Sequence, residues 1–286
     1  MRTFAKYLAA IIGSVLVFIA LGGGTAWLLA GTADNATSTA MSVLSEDRAG
    51  RAAGSVLIES LASEADPAVK AELEKESAPL SEAAAAGLRA SEAAISLVIH
   101  GLYAAVNEVS TVVVDLKPVF ARVVAELHRV DSRIPADLSD MSGAVPGNSE
   151  MSIEVEGSKL GFVRTTLSII GIWWVLLAVA LVLLALAGVC DRRAPVRRWR
   201  VTGISLAIPS SLLLVIALVG RFVAPGVESS DAQTSTLISA LLSLVQGTMM
   251  RLSGIFLVLA LAIIIVTIVF KPSGTDREER STDLAA

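Results

Sequence analysis

The chain has 286 residues, 54% of them hydrophobic and only 17% charged, with a net charge of −4 and a mean hydropathy of +0.70. Soluble domains carry roughly 25% charge, so this composition excludes an ordinary soluble protein, and a lone cysteine, Cys190, excludes an intramolecular disulfide. Two histidines, His100 and His128, are too few for a histidine-based metal cluster, and neither a metal nor a cofactor is expected.

Taken in order, four blocks hold the apolar excess, each near the roughly 20 residues that a membrane span needs. Residues 1–7 carry Arg2 and Lys6 and precede the first block, Leu8–Ala30. A basic start before an apolar run also describes a secretory leader. Leu8–Ala30 is longer than the usual leader core, so an uncleaved helix is expected. Within it, Gly22-Gly23-Gly24 permits close approach of another helix.

Residues 31–164 are polar and acidic, with 11 Lys/Arg against 20 Asp/Glu, a local charge of −9. Small polar residues make Thr32–Ala40 read as a flexible exit from the membrane, and Asn35-Ala36-Thr37 fits a glycosylation sequon. Asp66-Pro67 predicts a helix start, with Asp as N-cap and Pro at the first helical position. Apolar residues then recur at helical steps from Val69 to Val109, with Pro79 expected to break or bend the run. Glu72, Glu74 and Glu76 near Lys70 and Lys75 read as a solvated face with local ion pairs. Ser110–Leu116 is short and β-branched and predicts a strand. Lys117–Arg133 returns to helical spacing, with Val119, Val123, Leu127 and Val130 on one face and Ile134-Pro135 as its end. Gly143–Ser149 reads as a turn, and Met151–Val155 alternates as a second strand. Strand, helix and strand together predict a small α/β unit.

The second block, Thr165–Cys190, has Trp173 and Trp174 in its first third. A basic loop at 191–200 follows, part of the stretch "CDRRAPVRRWR", and then the third block, Val201–Phe222. Residues 223–251 form a short loop and a helical extension before the fourth block, Leu252–Phe270. Thr236–Phe270 is helical in pattern throughout. At 1.5 Å per residue it would span about 52 Å, well beyond a hydrocarbon core of ~30 Å. Thr236–Met250 is therefore expected to leave the membrane and brace the polar domain, bending at Gly247 or Gly254. Residues 271–286 read as a disordered tail.

Lys and Arg flank the spans unevenly. Arg2 and Lys6, the five arginines of the 191–200 stretch, and Lys271, Arg277 and Arg280 all fall on one side, whereas Val223–Ser235 has none. By the positive-inside rule both termini face the cytoplasm and residues 31–164 face outward. The expected fold is a mainly α plasma-membrane protein with four transmembrane helices and a mostly helical extracytoplasmic domain containing the small α/β unit.

Several stretches carry a resemblance: "TVVVDLKPVFARVVAEL", the "IP" after it, "MSIEVEGSKLGFVRTTL", and "DRRAPVRRWRVTGISLA" after an apolar span. In these and in their order, from about Val43 to Phe270, the chain resembles a family of uncharacterised actinobacterial multi-pass membrane proteins. The resemblance implies a first membrane helix, a large outside helical region with a strand–helix–strand unit, then three more membrane helices with a basic turn between the second and third. It carries no catalytic residues.

The phosphate-binding, dinucleotide and nucleophile-elbow motifs are absent from the sequence, so an enzyme is not expected. Arg192, Arg193, Arg197, Arg198 and Arg200 with Trp199 are the candidates for setting topology and meeting anionic lipid head groups. A nucleic-acid partner is not expected, since no second basic element accompanies them. Pro209 should kink the third span, as a static kink or as a candidate hinge, with Ser210 and Ser211 expected to satisfy the backbone groups it frees. Arg221 and Arg251, at the outer ends of the third and fourth spans, fit snorkelling to lipid phosphates and are also candidates for docking the acidic domain through Glu154 or Glu156. Two functions fit. One is a non-enzymatic scaffold of the cell envelope that binds an envelope protein or a second copy of itself. The alternative is a channel or transport component made by oligomerised helices, which flux through liposomes would reveal.

Overall fold

The structure, a computed structural model, describes residues 2–64, 67–75, 77–108, 111–136, 152–189, 195–223 and 232–269. The chain divides into two compact units. One comprises residues 1–24, 172–218 and 249–286, and the other residues 25–171 and 219–248. Four helices among the described residues are long and apolar enough to cross a membrane, and the fold is that of a mainly α membrane protein.

The first unit draws on α1 (Arg2–Ala30), α9 (Trp173–Val189), α10 (Pro195–Val223) and α11 (Ala232–Val269). Its core is small: Val17 and Leu21 of α1 meet Ala180 and Leu184 of α9, Leu206 and Leu213 of α10, and Ala260 of α11. In lipid, apolar side chains gain little by leaving one apolar medium for another, so close backbone approach and interhelical hydrogen bonds hold such helices together. Both are present. A Cβ on Gly24 would lie 3.0 Å from the Trp173 ring and one on Gly23 3.3 Å from Trp173 Cβ, so these two glycines are packed against α9, while Gly22 faces open space. Thr202 Oγ1 of α10 donates to the Leu184 carbonyl of α9 at 2.9 Å.

The second unit is a helical domain. Thr32 caps α2 (Ala33–Ser45), its hydroxyl accepting from the Asn35 amide at 3.1 Å. The expected flexible exit at Thr32–Ala40 is therefore a helix. Its hydroxyls, which lower helix propensity by competing for backbone groups, instead bond within the helix. Thr37 and Ser42 donate to carbonyls one turn back. Then come α3 (Asp47–Glu64), α4 (Pro67–Lys75), α5 (Ser77–Arg89) and α6 (Glu92–Glu108). Pro67 opens α4 as expected, while its proposed cap Asp66 lies outside the described residues. The run expected to break or bend at Pro79 divides just before it, between α4 and α5. Pro79 sits in the first turn of α5, where its missing N–H costs no hydrogen bond.

The core of this domain joins Ile58 and Ala62 of α3, Leu73 of α4, Leu80, Ala83 and Ala84 of α5, and Val123, Val124 and Leu127 of α7 (Lys117–Val130). Glycines set two of the spacings. A Cβ on Gly54 of α3 would strike the Ser81 carbonyl of α5, and one on Gly87 of α5 would lie 2.6 Å from Val123 Cα of α7. Of the four residues expected on the buried face of α7, Val119, Val123 and Leu127 are buried and Val130 is exposed.

The strands β1 (Thr111–Asp115) and β2 (Ser152–Glu156) pair antiparallel, with Thr111 opposite Glu156 and Asp115 opposite Ser152. The helix between them in sequence does not cover them. It packs on α5, whereas α6 lies on β1, with Val114 against Gly101. The expected turn at Gly143–Ser149 lies outside the described residues.

A 3₁₀ turn (Gly157–Leu160) leads into α8 (Gly161–Gly171), and α9 follows after Ile172. The second span is thus two consecutive helices that begin before Thr165. The third begins earlier too. Pro195–Arg200, expected in a loop, forms the first turns of α10, Pro195 taking the N-terminal position that proline favours. The fourth span and its extension form one helix of 38 residues, unbroken at Gly247 and Gly254. In the helical domain its first half packs Leu237, Ala240 and Leu244 against Val43 and Ala49. The tail at 271–286 lies outside the described residues.

Candidate functional site

The structure distributes the sequence-derived candidates widely. Cys190, Arg192 and Arg193 lie outside the described residues. Arg197 and Arg198 fall in the first turn of α10, followed by exposed Trp199 and Arg200. Arg221 is in the last turn of α10, and Arg251 is exposed on α11. Glu156, one suggested docking partner, pairs with Lys159 at 3.0 Å. Glu72 takes a partner far away in sequence: Arg133, at 3.0 Å, which also grips Asp131 at 2.6 Å. His128 Nδ1 lies 2.6 Å from the Ile134 carbonyl and closes the end of α7.

Pro209 is buried inside α10. The groups expected to answer its missing N–H do not do so in the way proposed. Ser210 Oγ donates to Leu206 O at 2.9 Å, while Ser205 O, one turn before the proline, accepts from Ser14 Oγ of α1 at 2.7 Å.

The helical domain carries a groove of about 880 Å³, open to solvent, between α2 and α6. Asp34, Thr37, Ser38, Met41, Ser42 and Ser45 line one wall, and Ala90, Glu92, Ala93 and Ser96 the other. At one end His100 of α6 reaches Asp34, Nε2 to Oδ1, at 3.3 Å. His100 Nδ1 is 2.8 Å from the Ser96 carbonyl and can satisfy it only as an N–H donor. The contact with Asp34 is then attractive when Nε2 is protonated as well.

Three of the hydroxyls that line the groove spend their protons on the helix. Thr37 donates to Ala33 O, Ser42 to Ser38 O and Ser45 to Ser42 O. Their oxygens retain lone pairs, and Asp34 and Glu92 add carboxylates. The groove is therefore rich in acceptors and suits a surface bearing N–H donors or positive charge.

The base of the same helices is tied to the end of α1. Asn35 Nδ2 donates to Trp27 O and Thr39 Oγ1 to Leu29 O, both at 2.8 Å, and the Tyr103 hydroxyl donates to Ala30 O. Carbonyls in the last turn of a helix lack partners of their own; side chains supply them for Leu29 and Ala30, and Trp27 O accepts from Asn35 in addition to the Gly31 amide at 2.7 Å. The sequon side chain of Asn35 is thus engaged in this cap. Burial raises the Tyr103 phenol above its ordinary value of 10.0, which keeps it a donor.

The groove was not singled out in the sequence. A signal exists, because Asp34, Ser38, Met41 and Ser45 recur at steps of four, three and four and so share one helical face. Small polar residues obscured it.

The fold and groove define a class: a mainly α membrane protein with four apolar helices and a helical domain that has its own core. The chain matches no protein-family model, no curated protein and no solved structure.

Proposed function

We propose that this is a non-enzymatic scaffold of the plasma membrane, with its helical domain outside the cytoplasm, that binds an envelope protein through the α2–α6 groove. The observation that carries the reading is the acceptor-rich groove on a domain with its own hydrophobic core. Such a groove favours a partner that brings amide or cationic donors. The outward orientation is supported by the uneven placement of Lys and Arg in the flanks.

The test is photocrosslinking in intact cells, with the photoreactive residue at Ser38 in the groove or at exposed Val130 on α7. The expected result is a discrete adduct from Ser38 only, identified by mass spectrometry. An adduct with a second copy of the chain would make the partner a homomer. The same adducts from both positions, or none from Ser38, would overturn the assignment.

A further inference from the structure

Proline has no N–H, so within a helix the carbonyl four residues earlier loses its usual donor. For Pro209 that carbonyl belongs to Ser205, a buried residue of an apolar helix. A bare carbonyl is costly where water cannot reach it, and some donor must take the place of the missing amide. The nearest candidate in sequence is occupied, since Ser210 Oγ donates to Leu206 O.

The donor that does reach Ser205 O is Ser14 Oγ, at 2.7 Å, from a helix 191 residues away in sequence. α1 is closely packed at this level: on the side facing α9, a Cβ on neighbouring Gly13 would lie 2.8 Å from Leu184, and Val17, one turn further along α1, is completely buried.

We infer that Ser14 is a latch. Its hydroxyl replaces the N–H that Pro209 lacks, keys α1 to α10 at a single register, and holds the proline site as a fixed joint so long as α1 is seated. A packing contact alone would not require a hydroxyl at this position. The latch requires the hydroxyl, and it requires it because of the proline.

That dependence defines the experiment, thermal unfolding of the full chain in detergent. Ser14→Thr and Ser14→Val add the same bulk and differ only in that Thr keeps the donor and Val removes it. Ser14→Val is expected to lower the apparent Tm by about 5 °C and Ser14→Thr by less than about 2 °C. In a Pro209→Ala background, where the amide is restored, Ser14→Val is expected to fall to under about 2 °C. Deuterium uptake across α10 around Ser205 should rise in Ser14→Val and return to normal in the double variant. Equal effects of Thr and Val, or a Val effect of the same size with and without Pro209, would overturn the latch. The Thr and Val comparison decides the matter even where Pro209→Ala does not fold.

Discussion

The helical domain and the apolar bundle reach close packing by different chemistry. In the domain, large aliphatic side chains converge: Leu73, Leu80, Leu127 and Ile134 are almost wholly buried. Their removal from water is the driving force, worth about 25 cal/mol per Å² of apolar surface. In the bundle the core is thinner, and cross-helix bonds go from hydroxyls to carbonyls: Ser14 to Ser205 and Thr202 to Leu184. The comparison shows why one kind of residue has two meanings in one chain. Serine and threonine on α2 donate to carbonyls of their own helix and leave acceptors facing a groove, whereas Ser14 and Thr202 in the bundle donate to carbonyls of a neighbouring helix.

The comparison breaks if deletions cost the same in both regions. The largest effect should come from Leu127→Ala in the domain core, a loss of about 3 kcal/mol in denaturant or thermal unfolding, since the side chain is completely buried. Tyr103→Phe should cost about 1 kcal/mol by removing the donor to Ala30 O. It should also change the alkaline limb of stability. A phenol whose folded pKa is raised contributes stability that is present below its ordinary value of 10.0 and lost as pH rises through the folded value. The wild type should weaken in that alkaline window and Tyr103→Phe should lose this component, as melting at pH 8 and above pH 10 would show. The smallest effect should be Thr202→Val in the bundle, about 0.6 kcal/mol, typical of interhelical hydrogen bonds in membranes. A loss at Thr202 as large as that at Leu127 would mean that the two regions are held alike.

Much of the architecture was legible because it rests on period and length. Three of the four apolar blocks became single long helices and the second became the consecutive α8 and α9, while Val119, Val123 and Leu127 marked the buried face of α7. Val130 continued the same pattern but is exposed. It is the last residue of α7, and the chain leaves the helix at Asp131. Boundaries went wrong where polar residues form helix: Thr32–Ala40 reads as loop by composition, and Pro195–Arg200 reads as loop by charge. The groove was hidden for another reason. Asp34 and His100 are 66 positions apart, and nothing local in either announces the other. The latch was half visible. Pro209 signals a freed carbonyl from its chemistry alone, but the partner follows only from how α1 packs.

Consider finally the middle layer of the domain, α5. One neighbour, α3, meets its backbone through Gly54, and the other, α7, meets it through its own Gly87. Between those contacts α5 presents mainly alanine, with Ala83, Ala84 and Ala85 all buried. A layer this thin leaves little room for drift. An added methyl at either glycine would have to be answered by a change on the facing helix, so these positions should vary together or stay fixed as the sequence diverges.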